Sequence, residues 1–124
     1  MRDEIDRSVV TIRDDALFQP ATANLMRAGA DLLRPVAAAL RDTPGQVVVL
    51  GHTDSDSQRS ARFPSNWELS VERARAVHDA LLLFGIPTTR LRYDGRADTE
   101  PLAGGSKQAP VHSGRIEIVL LAGR

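Results

Sequence analysis

Two charged residues occupy positions where a charge needs a reason. GHTDSD (residues 51–56) closes an apolar run, and FPSNWELSVERARAV (residues 63–77) opens an amphipathic stretch. In open α/β sheets ligands collect beyond the carboxyl ends of strands. That puts Asp54 at a candidate site, beside a helix N-terminus whose unpaired N–H groups favour anions. With Leu69 at zero and about 100° per residue, Leu69, Ala74, Val77, Ala80, Leu81 and Phe84 share an arc of about 140°. Arg73 falls inside that arc, at about 40°, while Glu72, Arg75, His78 and Asp79 fall outside it. A charge on a buried stripe is costly unless paired. Spacing leaves two explanations open. Arg73 snorkels to water or pairs with a local carboxylate, or its guanidinium fork faces a pocket and takes a ligand's carboxylate. In the second case Asp54 and Arg73 together grip a zwitterion, with the ammonium on Asp54 and the carboxylate on Arg73. In the plainer arrangement the two bond each other, or Asp54 only caps the turn.

Other constellations are weaker. His52, Asp54 and Asp56 alternate, which in an extended chain places them on one face as imidazole and carboxylate donors for a metal. His78 and His112 have no ligand-like spacing to them, so no metal is expected. Ser70, His52 and Asp54 supply the residue types of a catalytic triad, but no nucleophile elbow surrounds the serine. Phosphate-binding glycine loops are missing, and no cofactor is expected. Trp67 has the surface to stack on a sugar; a hydrophobic staple at the helix entrance is the favoured role.

These residues need elements to hold them. SVVTIR (8–13) reads as a strand, and LFQPAT turns the chain. Apolar steps at Leu25, Leu32, Leu33, Val36 and Leu40 predict a helix, with Gly29 and Pro35 inside the run. DTPG (42–45) breaks it. QVVVLGH (46–52) is apolar throughout and predicts a central strand covered on both faces. Ser65 and Glu68 have capping-box spacing, so the second helix starts near Asn66 and runs to about Phe84, before Gly85 and Pro87. RLRYDG (90–95) and RIEIVLL (115–121) predict the last strands, with a loop over 96–114. The order βαβαββ is an α/β layer structure, with helices joining parallel neighbours through right-handed crossovers.

The 124 residues suffice for one domain, and the whole chain is expected to be one. Sixteen basic and sixteen acidic residues cancel, which argues against nucleic acid as a partner. Absence of cysteine excludes a disulfide framework and a thiolate metal site. No apolar run approaches membrane-spanning length, and MRDEIDRS is too polar for a signal peptide.

GHTD, FPSNWELSVERARAV, GIPTTRLRYDGRADTEPLA and RIEIVL together resemble the OmpA-like peptidoglycan-binding domain family, over about residues 8–121. The resemblance implies two helices packed on a mixed four-stranded sheet. It implies a noncatalytic module that binds the diaminopimelate of the peptidoglycan stem peptide. On that resemblance Asp54 is the ligand carboxylate and Arg73 the ligand arginine. Asn66 shapes the pocket, with Thr53 and Leu69 from the same motifs, and Arg115 matches the last arginine of the family's NRRVEI ending.

The FPSNWELS form is similar to two inner-membrane branches, MotB and the C-terminal domain of TssL-like type VI secretion proteins. The upstream DRSVVTIRDDALFQPATANL favours the second. Either branch implies a periplasmic domain behind a single membrane anchor absent from this chain, with secretion-system or stator subunits as partners and a homodimer left open. One departure stands out. The family ending GRA..NRRVEI is PVHSGRIEI here, without the preceding GRA, and Ser113 and Gly114 replace the asparagine and the first arginine. That departure supports a second expectation: a structural or assembly domain with a vestigial pocket, binding partner proteins or another copy of itself. A cell-wall enzyme is disfavoured.

Overall fold

The computed structural model describes residues 6–53, 66–97 and 114–122, with the side chains of residues 6, 66, 97 and 122 left aside. Four strands, β1 (Asp6–Arg13), β2 (Gln46–His52), β3 (Leu91–Ala97) and β4 (Arg115–Ala122), form one sheet in the order β1-β4-β2-β3. β2 and β3 are parallel, as a helical crossover between them requires. β1 and β2 are not neighbours, contrary to the expectation of parallel pairing there. β4 runs between them, antiparallel to both. The reason is burial: β4 is apolar enough to fill a central position, while β1 leaves Val9 and Val10 exposed at the sheet edge.

Alternation sorts the sheet residues by face. Val47, Val49, Ile116, Ile118 and Leu120 join the core under the helices. His52, Arg115 and Glu117 project from the opposite face, since His52 and Arg115 are cross-strand partners and Gly51 faces the helices.

Among the described residues, three α-helices cover the core face. The first, α1 (Asp14–Leu17), is a single turn in a segment expected to be irregular. It buries Asp14 and Leu17, and the following Phe18 bridges back to Leu25. That bridge takes Leu25 out of the helix the sequence pattern gave it. The second, α2 (Arg27–Arg41), continues through Pro35 and buries Leu33, Ala37 and Leu40, leaving the expected stripe residue Leu32 outside. Its C-terminal end is held by Arg90, which closes a 3-10 turn rather than opening β3. Arg90 donates to the carbonyls of Leu40 (2.9 Å), Thr43 (2.5 Å) and Gly45 (2.8 Å).

The third helix, α3 (Asn66–Leu83), starts where the capping-box spacing placed it, although Ser65 lies outside the described residues. It sits unusually close to the sheet. A Cβ on Gly51 would stand 2.3 Å from the Ser70 carbonyl, and one on Gly95 would stand 2.4 Å from Ser70 Oγ. Glycine at both strand positions lets the first turns of α3 rest directly on β2 and β3.

Candidate functional site

Arg73 is the centre of the site. It lies on the core face of α3, as the helical arc predicts, and only 3% of it is exposed. Its Nη1 donates to Asp14 Oδ2 at 2.9 Å, across 59 residues of sequence. Its Nε donates to the Thr22 carbonyl at 2.7 Å. The guanidinium also lies over the Phe18 ring, 5.2 Å from the centroid. All three contacts come from residues 14–22, the segment around α1. A buried cation is tolerable only with such compensation, and two hydrogen bonds plus a ring fix the plane of the fork.

Asp14 is the residue that sequence reasoning missed. It is itself only 4% exposed. Its backbone N–H donates to the Gly114 carbonyl at 3.1 Å, and a Cβ on Gly114 would lie 2.1 Å from Asp14 Oδ2. The signal was present in the sequence as the bare glycine at a position where the family ending carries arginine.

The other residues assigned by motif fall into three groups. Thr53 and Leu69 are buried at the end of β2 and the start of α3, the two elements that Gly51 brings together. The Thr53 hydroxyl has no hydrogen-bond partner among the described residues. Asp54 lies outside the described residues, as does the side chain of Asn66. Arg115 is buried on the opposite face of the sheet from α3, so the structure does not bring it to the Arg73 fork. Trp67 is 53% exposed, which does not fit a staple buried at the helix entrance.

Arg115 belongs to a different cluster. Its Nε donates to Glu117 Oε2 at 3.1 Å, and His52 Nε2 lies 2.9 Å from Glu117 Oε1. Burial alone would raise the Glu117 carboxyl. The hydrogen bond from Arg115 and the charge and bond of His52 outweigh it and hold the group below its ordinary 4.5. His52 is thus engaged by a carboxylate of β4; Asp54 and Asp56, which alternate with it in the sequence, lie outside the described residues. Among the described residues no three metal-ligating side chains gather, and no helix is long and apolar enough to cross a membrane.

Known proteins are similar to this chain in fold and in sequence. The cell wall anchor of the T6SS from Pseudomonas aeruginosa superposes with a TM-score of 0.84 at 40% identity, covering 98% of this chain and 88% of that one. The uncharacterized protein YtxE of Bacillus subtilis is 35% identical over 122 residues, 96% of this chain. Motility protein B of Escherichia coli is 30% identical over 115 residues, 91% of this chain. The chain spans 50% of the length of YtxE and 37% of motility protein B. The model of the OmpA family matches residues 17–112, from the last residue of α1 through α2, β2, α3 and β3. With its mixed sheet, its two long helices and this match, the chain belongs to the OmpA family.

Proposed function

We propose that this chain is a noncatalytic module that binds peptidoglycan, with Arg73 receiving a carboxylate of the stem peptide's diaminopimelate and Asp54 its ammonium. The observation that carries the reading is the held fork: a buried guanidinium fixed by Asp14, Thr22 and Phe18 on the first turns of α3. Preorganisation of this kind removes an ordering cost from ligand binding. The Thr53 hydroxyl at the end of β2, which has no partner among the described residues, adds a buried polar group there. The 40% identity to a cell wall anchor supports a role at the cell wall. In this reading the domain is periplasmic and belongs to an inner-membrane-anchored secretion or motor component, the secretion branch being favoured.

Sedimentation with purified sacculi tests it. Wild-type protein is expected in the pellet. Asp54→Ala should leave it in the supernatant, and Arg73→Lys, which keeps the charge but loses the fork, should weaken binding about tenfold or more. Pelleting of both variants at wild-type levels would defeat the site assignment.

A second reading is favoured by one observation: Arg73 is already met by an internal carboxylate. The pocket is then vestigial and the domain works in assembly, binding a partner protein or another copy. Wild-type protein that stays in the supernatant, together with self-association by analytical ultracentrifugation, would support that role.

A further inference from the structure

The chain has a single tryptophan, and the fold places it at the surface. Trp67 stands on the first turn of α3 with 53% of it exposed, while Leu69 and Ser70 close by are buried. Leaving so large an apolar ring in water forgoes burial that a core would have gained from it. The backbone that carries the ring is nonetheless held. Ser70 Oγ donates to the Trp67 carbonyl at 2.8 Å, and the Ser70 carbonyl lies against Gly51 of β2 and its hydroxyl against Gly95 of β3. An indole presented to water from a fixed turn is a flat platform whose backbone has little ordering left to lose.

The position of Arg73 gives that platform a use. With Leu69 at zero, Trp67 falls at about 160°, outside the buried arc and on the flank shared with Val71, which packs on Gly95. Arg73 lies six residues on, about 9 Å along the axis and about 120° around it. Its side chain leans back toward the helix N-terminus. Indole and guanidinium therefore stand on the order of 10–15 Å apart at one end of the helix. A stem peptide hangs from the glycan strand by a lactyl ether and carries diaminopimelate as its third residue. Three extended residues span about 10 Å. A diaminopimelate carboxylate seated on Arg73 thus sets the sugar ring within reach of Trp67.

We infer that Trp67 is a further binding residue of the domain, a platform on which the N-acetylated sugar bearing the stem peptide stacks its apolar C–H face. The inference rests on the reading that Arg73 receives the diaminopimelate carboxylate, and it extends the ligand from peptide to glycan. A pyranose ring presents C–H bonds on its faces and hydroxyls around its rim, so one face leaves water against the indole while the rim stays hydrated. Such a contact recognises a ring and not a charge, unlike the ionic grip at Arg73. It gives the domain a preference for stem peptides still attached to glycan over free peptide fragments.

Two ligands separate the contributions: the free tripeptide ending in diaminopimelate, and the same tripeptide on its N-acetylglucosamine–N-acetylmuramic acid disaccharide. Each is titrated into the chain by calorimetry, with tryptophan fluorescence read in parallel; Trp67 is the only source of that signal. The disaccharide form is expected to bind about three- to tenfold tighter and to shift the emission saturably to shorter wavelength as the indole leaves water. The free tripeptide should leave the emission maximum in place. Trp67→Ala should bring the two affinities together, and Trp67→Phe, which keeps a ring, should retain part of the preference. Equal affinities of the wild type for the two ligands overturn the inference while leaving the peptide site standing. A preference that survives Trp67→Ala, or that leaves the emission unmoved, places the sugar elsewhere and overturns it as well. An emission shift with the free tripeptide assigns the indole to the peptide and does the same. Binding of neither ligand removes the stem-peptide reading, and the inference with it.

Discussion

At the residue scale, Arg73 and Asp14 form a pair whose members have no tolerable life apart. Arg73→Ala takes the guanidinium away from the buried Asp14 carboxylate and is expected to cost about 3–5 kcal/mol in urea unfolding. The double change Arg73→Ala with Asp14→Ala removes both charges and should cost less than the single one, a coupling that a double-mutant cycle reads directly. Glu117 makes a pH-dependent contribution. Its carboxyl is held below 4.5 in the folded protein, so the stabilisation is present above that ordinary value and is lost as pH falls through the lower folded value. Glu117→Gln should therefore be less stable than wild type at neutral pH. The gap should close as pH drops below 4.5, measured by melting temperature across an acid series.

At the scale of elements, α3 is positioned by the absence of side chains beneath it. A Cβ at Gly95 would meet Val71 Cγ2 at 2.6 Å and the Val71 backbone nitrogen at 2.7 Å, so backbone and not a flexible tip must yield. Gly95→Ala is expected to cost about 1–3 kcal/mol. Because α3 carries Arg73, sacculus binding should fall with it, at temperatures where the variant remains folded by circular dichroism. The end of α2 depends on a residue far along the chain. Arg90→Ala withdraws donors from the carbonyls of Leu40, Thr43 and Gly45 and should destabilise by about 2 kcal/mol in the same unfolding assay.

At the scale of the whole molecule, the sheet order places β4 and β2 in the interior and β1 and β3 at the edges. The central strands bury the most apolar surface and open only with global unfolding. Amide hydrogen exchange should be slowest in Val47–Leu50 and Ile116–Leu120 and faster along β1, whose outer backbone groups pair with no strand among the described residues. Uniform exchange across all four strands would contradict that order.

The periodicities that wrote the elements were local and therefore readable. The arc from Leu69 to Phe84 placed Arg73 on the core face of α3, and the continuous apolar run 46–52 marked a central strand, whereas 115–121, which alternates before it turns apolar, read only as a last strand and proved central as well. The phase of α2 was misread at Leu25 and Leu32, because the Phe18–Leu25 bridge fixes where that helix begins, and a bridge across an irregular turn leaves no periodic trace. The identity of Arg73's partner was also beyond reach of pattern. A charge on a buried stripe demands compensation, so the need for a carboxylate followed from sequence alone. Which carboxylate answers it was decided by β4 entering between β1 and β2, because that insertion brings Gly114 and Asp14 together beneath α3, and pairing across 59 residues is set by packing in three dimensions, not by spacing along the chain.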